Sequence, residues 1–134
     1  MKRIASLGGW AVGGAAVVLA LGAAAHPAAL AATSGGLWEL AGVPGAAKPA
    51  RQCVVDTAAL AQYEHRAQSC TRVVISDVGS TTVIHYTCTG GGFGQSKITV
   101  ITPRSMRIET QGISDNFPFN YTLQARRIGD CAAH

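Results

Sequence analysis

Four cysteines, Cys53, Cys70, Cys88 and Cys131, are the residues in this chain best suited to covalent chemistry. They are separated by 16, 17 and 42 residues, and no two stand as Cys-x-x-Cys. That spacing speaks against a structural zinc site and against a redox-active dithiol, both of which use the short motif. An even set in a small domain that leaves the cytosol implies two disulfides, for which three connectivities exist.

Other reactive side chains are scattered. His65, His85 and His134 follow the leader described below, and a general base needs a nucleophile or acid within hydrogen-bond reach. The spacing supplies none, and the carboxylates stand singly, so no glycosidase-like pair emerges. Ser96 lies in Gly94-Gln95-Ser96-Lys97, which lacks the second glycine of a nucleophile elbow. Gly90 to Gly94 superficially suggests a phosphate loop, but no Gly-Lys-Ser/Thr follows and the next element reads as a strand. Asn120-Tyr121-Thr122 matches a glycosylation sequon inside a strand. No catalytic, metal or cofactor residue is therefore expected. Arg126 and Arg127 are the candidate anion or partner contact, since a guanidinium fork suits carboxylate or phosphate. The alternative is structural, with Asp130 pairing locally with an arginine. Trp38 reads as a core anchor, with ligand stacking as the lesser reading.

The elements that must position these residues begin after a leader. Met1-Lys2-Arg3 is followed by no charge until Glu39, an apolar run Ala15 to Leu21, then His26-Pro27 and Ala29-Leu30-Ala31. This order of positive, apolar and small residues is that of a secretory signal peptide, expected over residues 1–31, with cleavage after Ala31 and a single domain over 32–134. A retained anchor is disfavoured by Pro27 and the cleavage site. The protein is thus expected to be periplasmic or secreted, with no stable membrane anchor after cleavage. Lys2 and Arg3 leave with the leader, so the formal charge of +4 falls to +2, nine basic residues against seven acidic. No run of Lys/Arg longer than two remains, and nucleic acid is not an expected partner.

Leu37 to Leu40 and Arg51 to Val55 read as short strands. Asp56 is a fitting N-cap for a helix from Ala58 to Arg66. Thr71 to Asp77 and Thr81 to Thr87 are β-branched runs around Val78-Gly79-Ser80, a hairpin with a three-residue loop. If Asp77 faces Thr81, counting back in step along both strands brings Cys70 opposite Cys88, about 4.5–5.5 Å away at Cα. Cys53 and Cys131 then remain to pair. The hairpin is apolar on both faces, which fits a central strand or one covered by the helix. Lys97 to Thr102 and Ser105 to Thr110 form a second hairpin around Pro103-Arg104, Gly112 to Pro118 reads as a loop, and Phe119 to Arg126 alternates as a half-buried strand. Five or six strands, one short helix and two disulfides give a mainly β protein. Its sheet is a curled antiparallel one, or a small β-barrel.

Gly36-Leu37-Trp38-Glu39-Leu40 after the leader, a cysteine before a short helix, two cysteines bracketing a hairpin, a Gly-rich connection and the closing Ala125-Arg126-Arg127-Ile128-Gly129-Asp130-Cys131 together resemble the domain-of-unknown-function 3617 family of small exported bacterial proteins. The resemblance covers residues 36–131. Members often carry Met-rich stretches where this chain has Pro44 to Pro49 and Gly112 to Pro118, so no role of those methionines transfers. The family implies export and a compact disulfide-bearing β-rich domain, and no activity. The function expected is a non-enzymatic binding or interaction module whose partner is an envelope component or protein. A periplasmic hydrolase inhibitor, of lysozyme or protease, and a carrier of small apolar ligands are the alternatives.

Overall fold

A computed structural model describes residues 8–9, 13–15 and 26–132. Seven strands form one antiparallel sheet: β1 (Gly36–Ala41), β2 (Ala50–Val54), β3 (Cys70–Val78), β4 (Thr81–Cys88), β5 (Phe93–Thr102), β6 (Ser105–Ser114) and β7 (Phe117–Gly129). Their order is β2-β1-β7-β6-β5-β4-β3. The two ends of that order, β2 and β3, are free edges, so the sheet is open and the barrel alternative is not realised. Among the described residues two 3-10 helices, Ala28–Leu30 and Thr57–His65, accompany it.

Alternation builds the core. In β6, Met106, Ile108 and Thr110 are buried while Arg107 and Gln111 are exposed; in β7, Leu123 and Ala125 are buried between Thr122, Gln124 and Arg126. Inward residues of β1 and β4 to β7, including Trp38, Leu40, Ile84 and Ile98, join Leu60, Ala61 and Tyr63 of the longer helix and Leu30 of the shorter one in a single cluster. The helices cover one face of the sheet and leave the other to solvent. Leu30, which precedes residue 32, is fully buried in this cluster.

The longer helix starts where expected, with the Asp56 carboxylate accepting from the Ala58 N–H at 2.9 Å. It is a 3-10 helix rather than an α-helix and kinks at Gln62. In the first hairpin Val78 pairs with Thr81, so the loop has two residues, Gly79 and Ser80, and not three. Between Val74 and Ser76 the register shifts by one at Ile75, a β-bulge that restores the pairing of Cys70 with Cys88. The disulfides join Cys70 to Cys88 and Cys53 to Cys131.

Two further expectations are corrected. β3 is neither central nor covered: it is an edge, with Val73, Ile75 and Val78 more than half exposed. The presumed loop from Gly112 to Pro118 is mostly strand. Gly112 pairs with Phe119 and Ser114 with Phe117, and only Asp115 and Asn116 turn the chain. Both adopt positive φ, 50° and 67°, the conformation that matches the twist of a tight hairpin.

Candidate functional site

The open face is ordered by register. His85 pairs with Gln95, Gln95 with Gln111, and Gln111 with Asn120, so four adjacent strands place these side chains in one row. Two residues along, Thr87, Phe93, Ile113 and Pro118 form the next row on the same face. On the other side lie Val83, Lys97, Glu109 and Thr122. The strands are about 4.8 Å apart, so the row of His85 and the three amides spans roughly 15 Å.

A trough of about 580 Å³ runs over this surface, lined by His85, Gln95, Gln111 and Asn120 and by Phe93, Ile113, Pro118 and Phe119. An adjoining depression of about 360 Å³ shares the three amides and adds Val83, Lys97, Glu109 and Thr122. One end is thus apolar, the middle is amide-rich and hydrogen-bonding, and the far end carries one charge of each sign. The larger trough has no hydroxyl, thiol or carboxylate in its lining. Its lining combines apolar side chains with a few convergent polar groups.

Beneath the sheet a polar cluster ties the long helix to the strands. His65 Nδ1 lies 2.8 Å from the Tyr86 hydroxyl, and the Tyr121 hydroxyl donates to Glu64 at 2.6 Å. Burial, helped by the Glu64 charge, pushes the Tyr86 phenol well above its usual range. Burial and then the bond to Glu64 do the same to Tyr121. Both phenols stay protonated across ordinary pH. Ser96 donates to the Ala61 carbonyl and is hydrogen-bonded to the Thr110 hydroxyl, so it staples the helix to β5 and β6 rather than serving as an exposed nucleophile. These groups are packed under the helix, away from the trough.

The residues singled out from sequence are separated by the fold. Arg126 and Arg127 diverge. Arg126 is exposed and lies 3.4 Å from Glu39. Arg127 donates through Nε to the Gly35 carbonyl at 2.9 Å and through Nη2 to Asp130 at 2.6 Å, which is the local pairing set against anion capture. Trp38 is wholly buried and donates to the Ser34 carbonyl. His65 is a core residue, His85 belongs to the trough row, and His134 lies outside the described residues. Among the described residues no group of three or more His, Cys, Asp or Glu is arranged to hold a metal ion. Sequence reasoning missed Gln95, Gln111 and Asn120. Their signal is an amide at an outward position of three successive strands, visible only once the registers are known.

A family model described as "Protein of unknown function (DUF3617)" matches residues 29–131. No curated protein and no solved structure matches the chain.

Proposed function

This chain belongs to the DUF3617 family, whose function is unknown, and on that footing we propose that it is an exported, non-enzymatic binding module holding an extended, uncharged stretch of an envelope protein in the trough on the open sheet face. The observation that carries this reading is the row His85, Gln95, Gln111 and Asn120 beside the wall of Phe93, Ile113 and Pro118. Amide side chains both donate and accept, so a row of them matches the N–H and C=O groups of a peptide backbone. The wall takes an apolar side chain from the same segment. The three amides give no advantage to a charged partner, and the Lys97 and Glu109 end is balanced in sign. With no nucleophile or acid in the larger trough, binding without turnover is the chemistry on offer. Export is supported by the leader pattern and by two disulfides, which persist in oxidising compartments.

The test is a titration of isotope-labelled protein, followed by NMR, with short neutral peptides rich in Leu, Val, Asn and Ser. Shifts confined to residues of β4 to β7 on the open face, and their loss in a Gln111→Ala, Asn120→Ala double variant, are expected. A response to neutral oligosaccharides alone, inhibition of lysozyme or of periplasmic proteases through another surface, or hydrolytic turnover would each overturn the reading.

A further inference from the structure

Residues 26–31 are bound into the domain by several independent contacts. Leu30 is fully buried in the central cluster and Pro27 and Ala29 are buried beside it. The Asp77 carboxylate on β3 accepts from the Ala28 N–H at 2.6 Å and the Ala29 N–H at 3.0 Å, satisfying the first two donors of the short helix. The Leu30 carbonyl accepts from the buried Thr33 hydroxyl at 2.6 Å, and that hydroxyl also meets Thr57 Oγ1 at 2.8 Å. His26 Nδ1 lies 2.9 Å from Asp56, the cap of the long helix.

A cut after Ala31 would remove all of these contacts except the one between Thr33 and Thr57. Leu30 would leave a hole in the core, Asp77 would lose both donors, and Thr33 would lose its acceptor. The sequence holds a second small-residue triplet, Ala23-Ala24-Ala25, immediately before His26-Pro27, and it also satisfies the requirement for small residues at the cleavage point. The family match begins at Ala29, upstream of the Ala31 cut. We infer that the leader is cleaved after Ala25, so that the mature protein begins at His26 and residues 26–31 are a structural plug of the domain. The inference rests on the export reading above, and concerns where the leader ends.

Two measurements test it. The full chain is expressed in a bacterial host with an intact export pathway, and the soluble envelope fraction is analysed by intact mass and N-terminal sequencing. His26 at the N-terminus is expected. A start at Ala32, or anywhere beyond Pro27, overturns the inference and leaves export standing. A chain that keeps Met1 overturns both. In parallel, the exported Leu30→Ala and Leu30→Val variants are melted. If residue 30 is retained, Leu30→Ala lowers Tm by roughly 10 °C or more and Leu30→Val by a few degrees. Unchanged Tm in both variants means residue 30 has been cut away, and sinks the inference.

Discussion

Gly92 backs directly onto the imidazole of His65: a Cβ built at position 92 would fall 2.1 Å from His65 Nε2. The other ring nitrogen faces the Tyr86 hydroxyl, so the histidine is held between β4 and the turn that leads into β5. A methyl group at position 92 must push the ring and break the bond to Tyr86. Gly92→Ala is expected to destabilise the fold by about 2–3 kcal/mol, from overpacking plus a lost buried hydrogen bond. The effect should nearly vanish in a His65→Ala background, where the ring is gone. Urea denaturation of the double-mutant cycle measures that coupling.

The disulfides should contribute unequally. Cys53–Cys131 spans 78 positions and ties β2 to the end of β7, whereas Cys70–Cys88 spans 18 within one hairpin. In the chain-entropy model these loops correspond to about 4.5 and about 3 kcal/mol. A Cys53→Ser, Cys131→Ser variant is therefore expected to unfold at lower denaturant than a Cys70→Ser, Cys88→Ser variant, as read from equilibrium urea midpoints. The reverse order would mean that the edge hairpin, and not chain closure, limits stability.

How far the fold could be read from sequence follows from the period of a strand. β6 and β7 were legible because one face packs and the other does not, so Met106 and Ile108, or Leu123 and Ala125, alternate with polar residues. β3 misled for the same reason in reverse. Val73, Val74 and Ile75 are consecutive, and β-branched residues favour an extended backbone whether or not anything covers them. The bulge at Ile75 carries no glycine to announce it, yet it is what lets a two-residue loop coexist with the Cys70–Cys88 pairing. The trough was hidden more deeply. His85, Gln95, Gln111 and Asn120 align only if three registers are right, and misplacing the turn at Asp115-Asn116 as a seven-residue loop destroys the third. Likewise, nothing in Ala28-Ala29-Leu30 distinguishes a cleavage site from a short helix until Asp77 is seen to cap it.

That turn offers a direct check. Asn116 has φ of 67°, a conformation that costs a non-glycine residue about 1–2 kcal/mol unless its short polar side chain eases it. Asn116→Val is expected to destabilise by about 1–2 kcal/mol and Asn116→Gly to be neutral or mildly stabilising. Thermal melts distinguish the two. Equal effects would place the turn elsewhere.

The phenols set the alkaline limit. Tyr86 and Tyr121 have folded pKa values raised above their ordinary value of 10, so the folded state keeps two protons that the unfolded chain releases. Their contribution is fully present below pH 10 and is lost as pH rises past it towards the folded pKa values. Stability against urea should hold level from about pH 8 to 9 and fall steeply above 10. Replacing both with phenylalanine should flatten that fall, while lowering stability at neutral pH because Glu64 and His65 lose their partners.

The paired arginines finally separate a structural reading from a functional one. Adjacent strand residues face opposite ways, and here the consequence is a division of labour. Arg127 is mostly buried, reaching Gly35 and Asp130, and its guanidinium also lies where a Cβ at Gly36 would sit, within 2.7 Å. Arg126 is solvated beside Glu39. Arg127→Ala is therefore expected to cost about 1.5–3 kcal/mol, since a charged donor is withdrawn from a half-buried carbonyl and the entry to β1 is loosened. Arg126→Ala should stay within about 0.5 kcal/mol. Calorimetric titration of both variants with phosphate and with acetate completes the comparison. Wild-type protein should show no saturable heat, because one guanidinium is committed to Gly35 and Asp130 and the other lies beside the Glu39 carboxylate. A saturable signal abolished by Arg126→Ala would restore anion capture at this rim.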